Sequence, residues 1–164
     1  MLASLAITDA LLPHVPDVRI KWPNDIYVKN RKLGGILIEN SIGHGKILSS
    51  VIGIGLNVNQ NHFPEHLSNA ISFAQITGKT WSVEIIFHAI YESFRTRLTQ
   101  LNKSVYGLKK DYIARLLGYQ EFLNYRTEIE IFRARITDVL DGGEIILEEK
   151  GGKIRKFGFK EITF

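Results

Sequence analysis

The chain has no cysteine among its 164 residues, which excludes disulfide staples, thiol nucleophiles and cysteine-based metal sites. No apolar run approaches the roughly 18 residues of a membrane span. The N-terminal segment shows no basic stretch leading into an apolar core and a small-residue cleavage site, so a cytoplasmic location and no membrane partner are expected. Excess charge of one sign is scarce too: 21 basic residues face 17 acidic ones, for a net charge of +4. The basic residues gather only mildly, at 29–32 and 153–160. Without a dense basic stripe or a helix-turn-helix segment, no nucleic-acid partner is expected. Of the five histidines, only His62 and His66 have a helical ligand spacing, and Pro64 between them breaks the helix that would align them. No structural metal site is therefore predicted. The Gly53-Ile54-Gly55 pair is not a dinucleotide fingerprint, because the third glycine would fall at Val58. There is no P-loop, no Ser-His-Asp arrangement, no internal repeat and no low-complexity segment.

What is present is a chain that is 45% hydrophobic, enough for a real core. Leu2, Leu5, Ala6 and Leu11-Leu12 predict a short amphipathic helix ended by Pro13 and Pro16. Strands are expected over 18–20, 26–28, 36–39 and 47–57, with turns at 30–32 and 41–46. Residues 60–78 read as an irregular polar stretch. Val83, Ile86, Phe87, Ile90, Phe94, Leu98 and Leu101 form a helical stripe expected to pack on the sheet. A second helix is predicted over 107–117, stopped by Gly118. Beyond it the texture turns to β, with strands over 128–140, 143–150 and 153–159 separated by Asp141-Gly142 and Gly151-Gly152. The fold class is α+β: a sheet packed by helices in residues 1–118, then a small β-barrel in residues 119–164.

The densest polar signal is Lys21-Trp22-Pro23-Asn24-Asp25, followed by Lys32-Leu33-Gly34-Gly35-Ile36-Leu37. Pro23 fixes its own φ and biases Trp22 toward extended backbone, which presents Asn24 and Asp25 at a bend. Gly34 and Gly35 let a ligand or a second strand approach the backbone beside the Lys32 ammonium. The combination suits an anionic, phosphate-bearing ligand, and it equally suits an ordinary charged hairpin. Residue types and spacing leave both readings open.

Three ordered segments, 21–27, 32–39 (Lys-Leu-Gly-Gly-Ile-Leu-Ile-Glu) and 53–59 (Gly-Ile-Gly-Leu-Asn-Val-Asn), resemble the central motifs of biotin protein ligases. The resemblance implies a mixed sheet of the class II aminoacyl-tRNA synthetase and biotin-ligase kind, and an SH3-like C-terminal barrel closed by Phe157-Gly158-Phe159. It implies activation of biotin by ATP to biotinyl-5′-AMP and transfer to an acceptor lysine on a biotin-carrier domain of a carboxylase. Lys32 matches the family's active-site lysine and would act with Asp25 and Asn24 as the catalytic set, Mg²⁺ arriving with ATP near Asp25. Lys21, Trp22, Gly34, Gly35, Ile36, Gly55 and Asn57 would line the biotin and adenylate site. Core filling is the better reading of Trp22, a strand crossing the alternative for Gly34 and Gly35, and a strand-end amide the alternative for Asn57. The family's Gly/Arg-rich loop over biotin has no counterpart here, so the chain is expected to correspond to the C-terminal part of such a ligase. A lipoate-type ligase and a non-catalytic binding or oligomerising module are the alternatives. A homodimer is a further expectation, because the family frequently dimerises.

Overall fold

The computed structural model describes residues 1–164. Helix α1 (Leu2–Leu11) is followed by strands β1 (Val18–Lys21), β2 (Asp25–Val28), β3 (Arg31–Gly43) and β4 (Lys46–Leu56). Short helix α2 (Phe73–Thr77), long helix α3 (Val83–Lys103) and helix α4 (Val105–Ala114) come next. The chain finishes with β5 (Leu123–Arg126), β6 (Ile131–Val139), β7 (Ile145–Glu149) and β8 (Ile154–Phe157). The strands form two four-stranded meanders, each in sequence order.

The α+β class stands, with three differences in pairing from the expected mixed sheet and barrel. All ladders are antiparallel, and parallel pairing is confined to the bridges Ile20–Leu116, Lys32–Ala70 and Tyr119–Ile136. The second sheet is an open meander rather than a closed barrel, because β5 and β8 remain its edges. The segment expected to be its last strand turns away after Phe157, and Thr163 bridges Arg126 beside β5 instead.

Helix α1 is buried almost all round: Ala3, Ser4, Leu5, Ala6, Ile7, Thr8 and Leu11 are all inside. It lies between the first sheet and helices α3 and α4, so it has apolar neighbours on several sides and needs no wet face. Across the same interface Asp9 receives Arg97 at 2.6 Å and Arg115 at 3.0 Å, and Arg97 also meets Asp111. The α3 stripe is only partly used. Ile86 and Ile90 are buried, whereas Val83, Phe87 and Leu98 are exposed, because α3 rests chiefly on α1 and not across the sheet.

Helix α4 starts at Ser104, whose side chain accepts from the Gly107 amide, and ends at Arg115. Leu116 bridges Ile20, so the chain leaves the helix before Gly118 by pairing with β1. The irregular 60–78 stretch holds α2, capped by a reciprocal Ser72–Gln75 box and ended by Gly78 in the left-handed region.

Candidate active site

The first sheet has two chemically different faces. Val18, Ile20, Ile26, Val28 and Ile36 are buried. Directly opposed residues of a ladder share a face. The pairs Lys21–Asp25 and Arg19–Tyr27 on one side of β2, and Asp25–Gly35 and Tyr27–Lys32 on the other, therefore project together. Simple alternation along β3 would put Lys32 with Ile36 on the core side. A bulge prevents this: between Ile26 and Tyr27 the partner jumps from Gly34 to Lys32, leaving Leu33 as the extra residue. Leu33 is fully buried, and the added residue turns Lys32 to the face that carries Asp25. β3 already begins at Arg31, so the reversal lies at Lys29-Asn30 (Lys29 φ 55°) and not at 30–32.

The Lys32 ammonium lies 2.7 Å from the Asp25 carboxylate, with the side chains 41% and 26% exposed. Both therefore remain reachable by a ligand. They border an open cavity of about 520 Å³ lined also by Asn24, Gly35, Ile36, Leu37, Gly53, Ile54 and Gly55. Part of its floor is bare backbone, at Gly35, Gly53 and Gly55, beside the Ile36, Leu37 and Ile54 side chains. Gly35 pairs with Gly55 and Leu37 with Gly53, and a Cβ on Gly53 or Gly55 would meet nothing nearer than 3.7 Å. A Cβ on Gly35 would sit 3.0 Å from Asp25 Oδ1 and 3.6 Å from Lys32 Nζ, inside the site itself.

Of the residues singled out from the sequence, Asn24, Asp25, Lys32, Gly35, Ile36 and Gly55 line this cavity. Asn24 is also fixed to β3, its Nδ2 donating to Ile36 O at 2.6 Å and its carbonyl accepting from the Ile36 amide. The other four lie apart from the lining. Trp22 is 6% exposed, and its indole Nε1 donates to Gly143 O at 3.0 Å, in the turn between β6 and β7. Gly34 serves a strand crossing, since a Cβ there would fall 2.5 Å from Gly55 O. Asn57 donates to Ile71 O at 3.3 Å and so ties the 60–78 segment to the end of β4. Lys21 stands one strand over. Burial lowers its ammonium from the ordinary lysine value, the Lys32 charge adds to this, and Asp25 opposes it. Burial, with Asp25 beside it, likewise raises the Tyr27 phenol.

Gly53, Leu37 and Ile54 are lining residues that the sequence reading missed. Gly53 was legible, because it is two residues from Gly55 on the same strand and so shares its face.

The sequence profile of the Biotin/lipoate A/B protein ligase family matches residues 1–57, which hold every polar residue of this cavity. The bifunctional ligase/repressor BirA of Bacillus subtilis is 31% identical over 140 residues, covering 81% of this chain and 42% of that protein. Over most of its length the chain is similar to biotin protein ligases. The chloroplastic biotin–protein ligase 1 of Arabidopsis thaliana is 45% identical over 76 residues, covering 42% of this chain and 20% of that protein. Among solved structures, the Aquifex aeolicus biotin protein ligase in complex with biotin and ATP superimposes with a TM-score of 0.75 at 24% identity, over 99% of this chain and 68% of that one. That likeness establishes the ligase fold. The chain spans about two fifths of the first curated relatives, 42% of each. No group of three or more His, Cys, Asp or Glu side chains is placed to enclose a metal ion, and no helix is long and apolar enough to cross a membrane.

Proposed function

We propose that this chain carries the adenylate-handling site of a biotin protein ligase. The supporting observation is the Lys32 ammonium, held at 2.7 Å by Asp25 beside the open backbone of Gly35, Gly53 and Gly55. In the first half-reaction a carboxylate oxygen of biotin attacks the α-phosphorus of ATP, an O–P bond forms and pyrophosphate leaves. In the second an acceptor lysine amine attacks the acyl carbon of biotinyl-5′-AMP, an amide forms, AMP departs and the amine proton is lost. Negative charge grows on oxygen in both, and a preplaced cation at that point is the most effective help a site can give. Lys32 supplies it, Asp25 holds Lys32 in place, and Asn24 fixes the bend beside them. Gly35 and Gly55 admit the flat ring or chain of a ligand against the sheet. Asp25 offers a single carboxylate, which suits Mg²⁺ only as an ion shared with ATP phosphates; such an ion would neutralise part of the phosphate charge.

In this reading residues 1–118 are the catalytic part and residues 119–164 the SH3-like part. The acceptor is a biotin-carrier domain of a carboxylase, and the location is cytoplasmic. The deciding experiment incubates the chain with biotin, MgATP and a purified carrier domain and follows intact mass. A gain of one biotinyl group supports the proposal. Heat of biotin and MgATP binding without any mass gain would replace it with a non-catalytic binding module. The matching profile covers biotin and lipoate ligases alike, so a lipoate-type ligase is the second reading, and competition between biotin and lipoate for the site separates the two.

A homodimer belongs to the same proposal. β4 is a free edge strand, and Leu37, Ile38, Ile42, Ile47, Leu48 and Val51 on the β3–β4 ribbon are exposed, an arrangement that favours pairing with a second edge. Sedimentation should show concentration-dependent association that Val51→Lys weakens. A monomer at all concentrations would dismiss it.

A further inference from the structure

Two cations of the motif are held in different ways. Lys32 is committed to Asp25, whereas the Lys21 ammonium lies 4.9 Å from the centroid of the Tyr27 ring and 5.1 Å from that of Phe164. Phe164 is not a loose tail residue. The Thr163 carbonyl accepts from the Arg126 amide at 2.8 Å and the Arg126 carbonyl from the Thr163 amide at 2.9 Å. The Phe164 ring then packs 4.8 Å from that of Tyr125, which is fully buried. The residues after Lys21 are held too, Trp22 by Gly143 O in the β6–β7 turn and Pro23 O by the Tyr112 hydroxyl of α4 at 3.4 Å.

We propose that Phe164 is a positioning residue of the anion site: with Tyr27 it brackets the Lys21 ammonium and holds it as a second cation, beside Lys32, for an oligophosphate ligand. The physical reason is the ring quadrupole. Two aromatic rings attract an ammonium after it has lost much of its water, yet leave its charge unspent, whereas a carboxylate partner would cancel it. A cation held in this way costs a ligand little ordering entropy on arrival. Two ammonium groups on one face suit a diphosphate or triphosphate better than a single carboxylate. The inference rests on the anion-binding reading of the Lys32–Asp25 cavity and adds to it a residue packed against Tyr125 of the second sheet.

The test is calorimetric binding of inorganic pyrophosphate to the chain and its variants. Phe164→Leu keeps apolar volume against Tyr125 but removes the quadrupole, and should weaken binding about fivefold, while Phe164→Tyr stays within about twofold of the parent. In a Lys21→Met background Phe164→Leu should have no further effect, because its partner is gone. Melting midpoints of the variants monitor the fold. Parent-like binding by Phe164→Leu, or an equal loss in the Lys21→Met background, would overturn the positioning role while leaving the anion site intact. No pyrophosphate binding by the parent would overturn the anion-site reading and, with it, the role of Phe164.

Discussion

Lys32 and Gly35 show how little separates a chemical role from a structural one. An ion pair as exposed as Lys32–Asp25 contributes at most about 1 kcal/mol to stability, so Lys32→Ala should melt within a few degrees of the parent. Its loss should cost ligation at least about 100-fold, the scale of a lost electrostatic stabiliser. Turnover by mass spectrometry beside a circular-dichroism melt checks both halves. The neighbouring glycines should behave oppositely. Gly35→Val puts carbon among Asp25 and Lys32 and should abolish ligand binding in a folded protein, since the nearest contacts are side-chain ends. Gly34→Ala meets the Gly55 carbonyl and the Leu56 backbone, and should cost about 1–3 kcal/mol of stability. Paired denaturant melts and ligand titrations distinguish them. From the sequence these two glycines were equivalent; only the strand pairing tells them apart.

At the scale of elements, the bulge at Leu33 governs the site, and the Asp9 cluster governs the helices beneath it. Asp9 joins α1 to Arg97 of α3 and to Arg115 just past α4. Asp9→Ala leaves two partly buried guanidinium groups short of a partner and should destabilise by about 2–3 kcal/mol, readable as a shift in urea midpoint. Asp111 adds a pH dependence. The Gln100 amide foremost, with Arg97 and Arg115, holds its carboxyl below the usual carboxylate range against the opposing effect of burial. That stabilisation is present above the unfolded carboxylate pKa and fades as pH falls through the folded one. Most elements were legible from periodicity and turn residues, whereas Asn24, Asp25, Lys32, Gly35 and Ile36 were singled out through the motif resemblance and Leu37 was missed. What stayed hidden depends on three-dimensional partners. Nothing local announces a bulge in Lys32-Leu33-Gly34, β5 is only four residues long, and the α3 stripe looks like core until one sees that little faces Val83 and Phe87. Asn57 looked equally like a ligand residue and a strand-end amide, and its bond to Ile71 supports the second.

At the scale of the whole molecule, one hydrophobic cluster runs from Leu5 and Ile20 through Tyr112 to Tyr125 and Ile145, so the two sheets share a core. Burial pushes the phenols of Tyr112 and Tyr125 well above their ordinary value. Above about pH 10 the unfolded chain gives up protons that the folded chain keeps, so stability should fall as pH rises beyond that point. The Tyr125 hydroxyl has no hydrogen-bond partner. Tyr125→Phe should therefore leave neutral-pH stability unchanged or raise it by about 1 kcal/mol, and should flatten the alkaline decline; melts between pH 7 and 11 measure both. The Trp22–Gly143 bond spans 121 positions of sequence, and this has a consequence for synthesis. On a ribosome the turn that receives the Trp22 indole and the ring that faces Lys21 are both made after the first sheet. A nascent chain stalled short of residue 143 would display the lysine motif without its restraints, so ligand competence becomes a property that translation confers only once the second sheet has been made.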